Sequence, residues 1–312
     1  MLMPKILFMG TSEFAVPSLE ILIRKGYPIV GVVTQPNRPK GRGKMVRLSP
    51  VGIFAEKNHI SVMQPEDVGN KKFLADFRDL SPDMVVLAAF GQILPREIIE
   101  TPAMGCINVH PSLLPKYRGA APINWAIIQG DEITGVTIML MDYGLDSGDI
   151  LLQKETMIGP EEAFGELHGR LSEMGSELLL KTIEMIVKGA VRRMPQDVSN
   201  ATYARMLSKK DGHILWDNNV VNIINLIRGL SPSPGAYTFL EGKKLKIFTA
   251  RGEEVSINEP AGKIGGETER GLRVAAGNGY IYLNDVQLDS RKRMSIHDFL
   301  RGCRIAPGAA FG

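Results

Sequence analysis

Residues 5–26, KILFMGTSEFAVPSLEILIRKG, decide the fold of the first half of the chain. KILFMG is a short apolar run that ends in glycine, which is typical of a buried strand. From Phe14 onward apolar side chains recur at helical spacing as far as Gly26, a residue type that commonly ends helices. The stretch therefore predicts a strand that leads directly into a helix.

The same alternation continues along residues 1–189. PIVGVVTQP (28–36), MVVLAAF (84–90) and CINV (106–109) are typical of strands, and helical patterns at 49–59 and 71–80 separate them. A further strand at 146–158 and a long helix at 161–189 follow. This order predicts an α/β fold with a doubly wound, mainly parallel, Rossmann-like sheet.

The chain changes character near residue 190. Residues 190–205 lose the periodicity and are interpreted as a linker, and beyond 206 come short β-like runs such as KKLKIFTA (243–250) and YIYLNDVQL (280–288). We therefore expect 206–312 to form a small, OB-like β-barrel domain. A length of 312 residues fits two domains.

Composition excludes several classes of protein. The net charge is only +3, and the two cysteines, Cys106 and Cys303, form neither a CxxC pair nor a cluster with histidines. We therefore expect no metal site, no disulfide framework and a cytoplasmic location. No run has the ~18 apolar residues of a membrane span, and Gly41-Arg42-Gly43 lacks the third glycine of a dinucleotide fingerprint.

Two polar segments suggest a site. In NVHPSLLPKYRGAAP (108–122), Asn108 and His110 are two residues apart on a strand and project from the same face at its carboxyl end, where open α/β sheets bind ligands. Taken alone, the pair fits a hydrogen-bonded strand end better than a site. DYGLDSGD (142–149) then adds Asp142 and Asp146 in a glycine-rich turn after another apolar strand.

These two segments, at this separation, resemble the folate-dependent formyltransferases. FMGTSEFAVPSL (8–19), TQPNRPKGRGK (34–44), AAFGQILP (88–95) and RGLSPSPGAY (228–237) extend the resemblance, over nearly the whole chain, to the members that act on tRNA. The resemblance implies transfer of a formyl group from 10-formyltetrahydrofolate to the α-amino group of the methionine on initiator methionyl-tRNA. It also implies a monomer.

The chemistry gives each candidate catalytic residue a role. An amine that attacks a formyl carbon creates negative charge on the carbonyl oxygen, and each fixed donor aimed at that oxygen contributes about 3–4 kcal/mol in comparable acyl transfers. Asn108 and His110 are the expected donors, and Asp146 is expected to orient His110 and assist proton transfer. No metal is required.

The resemblance also implies the substrate contacts. The pterin ring is expected to contact mainly backbone groups of the segments that contain Phe90, Gly91, Gln92, Ile93, Leu94, Ser112, Leu113, Leu114, Pro115, Asp142 and Asp146. Five cations and no acid occur in the loop 34–51, which fits a phosphate backbone or a merely solvated surface. By resemblance this loop contacts the acceptor stem through Arg38, Lys40, Arg42 and Lys44.

Two other functions fit part of the sequence. A folate enzyme with another acceptor, either an amino sugar nucleotide or water, leaves the cationic loop unexplained. A non-catalytic RNA-binding protein accounts for the loop and the basic second domain, but not for Asn108, His110 and Asp146. Formyl transfer to methionyl-tRNA is the interpretation that uses all of these features.

Overall fold

The structure, a computed structural model, describes residues 3–37, 39–40, 45–46, 48–306 and 308–312, with the backbone alone at 39–40 and 45–46. The chain forms two compact units. The first contains residues 1–119, 134–156 and 168–204, and the second contains 120–133, 157–167 and 205–312. The domain boundaries near 189 and 206 stay a prediction.

Helices and strands alternate through the first 190 residues, as expected. The strands are β1 (Ile6–Gly10), β2 (Ile29–Val33), β3 (Pro39–Lys40), β4 (Met45–Val46), β5 (Val62–Met63), β6 (Met84–Ala88), β7 (Cys106–His110), β8 (Arg118–Gly119), β9 (Ile133–Leu140) and β10 (Ile150–Met157). The helices are α1 (Val16–Arg24), α2 (Pro50–Lys57), α3 (Lys71–Leu80), α4 (Arg96–Glu100), α5 (Pro122–Gln129) and α6 (Phe164–Val187), with a 3-10 turn at Glu13–Ala15.

The main sheet of the first unit has the strand order β10-β9-β7-β6-β1-β2-β5. The five strands from β7 to β5 pair in parallel. Every residue of β1 and β6 is buried, which explains why their sequences are continuous apolar runs. The predicted doubly wound, mainly parallel sheet is confirmed, and β9 is an antiparallel addition beside β7.

The strand order reverses beside β1. From β1 the chain continues to β2 and β5 on one side, whereas β6 and β7 lie on the other. The carboxyl ends of β6 and β7 are in register, since Ala88 pairs with Val109. The loops that follow these strands therefore begin side by side, at the kind of switch point where open α/β sheets bind ligands.

The strands predicted beyond residue 206 are present in the second unit, and they pair in antiparallel fashion. The first unit ends with a 3-10 turn at Val198–Asn200 and β11 (Tyr203–Ala204). The elements that follow are a 3-10 turn at Lys209–Gly212, α7 (Val220–Gly229), β12 (Ala236–Leu240), β13 (Lys243–Glu254), β14 (Ile264–Thr268), β15 (Gly271–Ala276), β16 (Gly279–Leu288), β17 (Met294–Ser295) and α8 (Ile296–Gly302). The sheet order is β12-β13-β16-β15-β14, with β17 on β16. Closure into a barrel stays a prediction.

Membrane insertion by a helix finds no support in the described part of the chain, where no helix is long and apolar enough to cross a bilayer.

Candidate active site

His110 is the last residue of β7 and is held by a backbone group. The ring is 3% exposed, and its Nε2 lies 3.0 Å from the carbonyl oxygen of Tyr117. Since a carbonyl only accepts hydrogen bonds, Nε2 must carry the proton and donate it. Nδ1 is therefore the nitrogen that remains for proton exchange.

Asp146 faces that nitrogen from the turn between β9 and β10. Its Oδ2 lies 3.7 Å from His110 Nδ1 and accepts a hydrogen bond of 2.8 Å from the amide of Gly119. The Asp146 backbone has a positive φ of 48°, and Tyr117 has one of 60°. Such backbone conformations are sparsely populated for residues other than glycine and occur often at functional sites.

Asn108 is half-buried on the same strand, two residues before His110. β7 is regular here, because Asn108 pairs with Met139 and His110 with Thr137 of β9. Both side chains therefore leave the same face of the sheet. Among the described residues the Asn108 amide has no hydrogen-bond partner, so it is free to bind a ligand.

The loop after His110 is fixed by two side chains from neighbouring strands. The buried Thr137 hydroxyl donates to the carbonyl of Ser112 (2.6 Å) and accepts from the amide of Leu114 (3.1 Å). Gln153 donates both to that hydroxyl (2.9 Å) and to the carbonyl of Leu114 (2.8 Å). The prolines at 111 and 115 are therefore only part of what holds this loop.

In the expected folate segment after β6, most of the larger side chains have contacts within the fold. Phe90 and Leu94 are buried in the apolar core of the first unit, and Ile93 is 94% exposed. The Gln92 amide is used locally, since it accepts from the amide of Val68 and donates to the carbonyl of Pro65. Gly91 has a φ of +85°. The side chains at 90, 92 and 94 thus serve the fold.

The turn at 142–146 is built by its own polar groups. Asp142 accepts hydrogen bonds from the amide of Gly144 (3.0 Å) and the hydroxyl of Ser147 (2.8 Å), which gives this carboxylate a capping role. The hydroxyl of Tyr143 accepts from Arg96 Nε at the start of α4 (3.0 Å). The structure thus brings this turn beside the 90–94 segment, which immediately precedes α4.

Cys106 is a free, buried cysteine of the first unit. Burial raises the pKa of the Cys106 thiol on β7, so the thiol stays protonated. Within the described ranges, no three His, Cys, Asp or Glu side chains are grouped to hold a metal ion.

Comparisons with known proteins decide the family. The formyl transferase model matches residues 4–183, and the formyl transferase C-terminal domain model matches 206–304. A methionyl-tRNA formyltransferase from Syntrophus aciditrophicus is 57% identical over 98% of both chains, and one from Acetivibrio thermocellus is 46% identical over 99% of both. This chain belongs to the methionyl-tRNA formyltransferase family.

A solved formyltransferase shares the fold of this family member. The N-formyltransferase of Helicobacter canadensis, crystallised with folinic acid and dTDP-3-aminofucose, aligns with a TM-score of 0.66 over 94% of this chain and all of its own. Its sequence identity is 20%, so this likeness concerns the fold.

The expected tRNA contacts of this formyltransferase lie outside the described side chains. Arg38, Arg42 and Lys44 are not among the described residues, and only the backbone of Lys40 is described, in β3. Their role in tRNA binding stays a prediction.

The groups that hold His110 and Asp146 in place are not evident from the sequence. Tyr117 and Gly119 act through backbone atoms, which carry no residue-type signal. Thr137 is the one polar residue in the apolar run GVTIML, and this polar position in a buried strand is a usable signal. Gln153, a half-buried polar residue in the middle of β10, offers a weaker signal of the same kind.

Proposed function

We propose that this formyltransferase catalyses attack of the α-amino group of methionine, esterified to initiator tRNA, on the formyl carbon of 10-formyltetrahydrofolate. The observation that carries the proposal is the meeting of His110 and Asp146 beside Asn108, in a chain 57% identical to a methionyl-tRNA formyltransferase. The reaction breaks the bond from the formyl carbon to the folate nitrogen and forms an amide.

The Asn108 amide donates to the formyl oxygen as negative charge develops there. Its unused donors support this role. Because Nε2 of His110 donates to Tyr117, Nδ1 receives or donates the migrating proton, and a protonated ring faces the Asp146 carboxylate at 3.7 Å. Asp146 therefore stabilises the cationic ring, while the proton lost by the amine passes to the leaving folate nitrogen.

The folate lies, on this proposal, against the backbone of 90–94, the loop 112–115 and the turn 142–146. The hydrogen bond between Arg96 and Tyr143 places the segment 90–94 near the turn 142–146, which supports a continuous binding surface. The folinic acid bound by the Helicobacter canadensis enzyme is in keeping with a folate in this fold. The loop 34–51 and the basic C-terminal segment 206–312 contact the tRNA, and the enzyme acts as a cytoplasmic monomer.

The test is a formylation assay with the purified protein, 10-formyltetrahydrofolate and methionine-charged initiator tRNA. Uncharged tRNA and free methionine are the matched controls. We expect formyl-methionine on the charged tRNA alone. Folate consumption without charged tRNA, or formylation of free methionine at the same rate, would contradict the proposed acceptor.

A further inference from the structure

The segment 194–204, here named the strap, joins the loops of the candidate active site. Its aperiodic sequence is typical of a linker, yet the strap belongs to the first compact unit. Met194 exchanges two backbone hydrogen bonds with Ile150 (2.8 and 2.9 Å), and β11 pairs in parallel with β8. The strap thus contacts the chain on both sides of the His110–Asp146 pair.

Thr202 of the strap fixes the turn that binds His110. Its hydroxyl accepts from the amide of Tyr117 (2.8 Å), and its carbonyl accepts from the amide of Arg118 (2.8 Å). Tyr117 in turn offers its carbonyl to His110 Nε2, and Gly119 offers its amide to Asp146. Thr202 therefore helps to set the orientation of the His110 ring indirectly, because it fixes Tyr117, which binds the ring.

Gln196 of the strap fixes the turn that carries Asp146. Its Nε2 donates to the carbonyls of Asp146 (2.9 Å) and Gly148 (2.8 Å), and its Oε1 accepts two bonds from Arg118 (3.1 and 2.8 Å). The amide orientation is unambiguous, since guanidinium groups only donate and carbonyls only accept. Every hydrogen-bonding site of this side chain is used.

Gln196 also binds the buried guanidinium of Arg118. Arg118 is 4% exposed, and among the described residues no carboxylate lies within ion-pair distance of it. Buried charges normally need a hydrogen-bonded partner, and here the partner is the neutral amide of Gln196. The amide therefore connects the β8 strand with the Asp146 turn through side-chain contacts.

We propose that Gln196 and Thr202 are positioning residues for formyl transfer, which hold His110 Nδ1 and Asp146 Oδ2 in their reactive arrangement through the 117–119 turn and the 146–148 backbone. The inference rests on the proposed function of this site. A misplacement of about 1 Å at a reacting group can cost roughly 100-fold in rate. Neither residue needs to touch a substrate to have this effect.

The test compares variants that keep the fold but release one contact. Thr202→Val keeps the shape of the side chain and removes the acceptor for Tyr117, whereas Thr202→Ser keeps the hydroxyl. Gln196→Glu keeps an acceptor for Arg118. It replaces the NH2 group that donates to the carbonyls of Asp146 and Gly148 with an oxygen, which those carbonyl oxygens repel. Val198→Ala is the matched control, because Val198 is an exposed strap residue.

We expect Thr202→Val and Gln196→Glu to lower kcat about 10- to 100-fold, with the KM for folate and for charged tRNA within about twofold of the unmodified enzyme. Thr202→Ser restores kcat and Val198→Ala leaves it unchanged. Exchange of the Gly119 amide hydrogen, read by NMR, should accelerate in the two impaired variants because its bond to Asp146 loosens.

Two results overturn the inference: kcat within twofold of the unmodified enzyme in both variants, or an effect confined to KM. Absence of formyl transfer by the unmodified protein would instead refute the proposed function. In that case the exchange rate of the Gly119 amide hydrogen tests the positioning claim by itself. An unchanged exchange rate in both variants would overturn the claim, and a faster rate would support it.

Discussion

At the scale of single residues, the candidate site depends on a glycine as well as on its proposed catalytic side chains. Gly119 donates its amide to Asp146 with a φ of +116°, and a Cβ there would lie 2.8 Å from the carbonyl oxygen of Ala204. Substitution therefore combines backbone strain, about 1–3 kcal/mol, with a clash against another backbone. The Asp146 carboxylate would lose its fixed donor.

We expect Gly119→Ala to lower kcat at least about 10-fold, in a steady-state formylation assay, because the amide moves away from Asp146. Gly169→Ala is the matched control. Gly169 lies inside α6, and a Cβ there would meet no atom within 4 Å, so this change should leave kcat unaltered and stabilise the helix by about 0.5–1 kcal/mol. Equal kcat for both variants would contradict the role of Gly119.

The sequence offers Asn108, His110 and Asp146 as catalytic candidates, through a strand end, a glycine-rich turn and the resemblance to formyltransferases. It does not indicate the groups that support them. Their supports at Tyr117 and Gly119 come from backbone atoms brought together by the turn, and local patterns do not encode such tertiary contacts. Gln196 was missed because the aperiodic sequence around it was interpreted as a linker.

At the scale of elements, the loop after β7 depends on one hydroxyl from β9. Thr137 satisfies the carbonyl of Ser112, the amide of Leu114 and the side chain of Gln153 at once. Thr137→Val keeps the volume but leaves these buried groups without their partner, at about 1–3 kcal/mol for each. The loop carries the prolines that follow His110, so its position affects the site.

We expect Thr137→Val to lower the free energy of unfolding by at least about 2 kcal/mol in urea titrations and to reduce kcat. Thr137→Ser keeps the hydroxyl and should retain most of both. If the valine variant were as stable as the serine variant, the hydrogen-bond network would not be what holds the loop.

A capping cluster at the start of the second unit makes stability depend on pH. Asp211 pairs with Arg205 and accepts from the amide (2.6 Å) and hydroxyl (2.7 Å) of Ser208. The Arg205 bond first, and then Ser208, hold the pKa of Asp211 well below its usual 3.8. Because this pKa is lower in the folded state, the stabilisation is complete at neutral pH and is lost as pH falls below about 4.

Asp211→Asn should therefore unfold at a lower urea concentration than the unmodified protein at pH 7. The gap between the two midpoints should narrow as titrations are repeated from pH 4 downward, because the native carboxyl is then being protonated. A gap of constant size from pH 7 to pH 2 would show that the charge of Asp211 does not contribute.

Strand direction was the least predictable property of the elements. GVTIML has the continuous apolar character of a parallel strand, yet β9 is antiparallel to β7. Burial on both faces produces this pattern, whatever the direction of the strand. The positions of β6, β7 and the long helix were predictable because each has a strong period or a long apolar run.

At the scale of the whole molecule, the second unit includes two segments, 120–133 and 157–167, that precede its main part at 205–312. α5 is part of it, and the Asn124 amide donates to the carbonyl of Gly229 at the end of α7 (2.8 Å). Arg228 donates to the carbonyls of Gly159 (2.8 Å) and Pro160 (3.1 Å) in its other early segment. Apolar spacing shows that α5 has a buried face but not what covers it.

A fragment of residues 206–312 should consequently be less cooperative than the same residues in the full chain. Without α5 and 157–167, the α7 face that they cover is exposed to water. We expect the fragment to bind the dye ANS and to lack a sharp thermal transition. A sharp transition with no dye binding would show that the segments 120–133 and 157–167 are dispensable for the folding of this unit.

The central claim is that Asn108 acts on the formyl oxygen and His110 on the migrating proton during formyl transfer. The direct measurement is single-turnover formylation of methionine-charged initiator tRNA by the unmodified protein, Asn108→Ala and His110→Ala, with tRNA binding measured in parallel. We predict rates roughly 100- to 1,000-fold lower in both variants, with unchanged tRNA affinity. A near-normal rate in either variant would contradict the account.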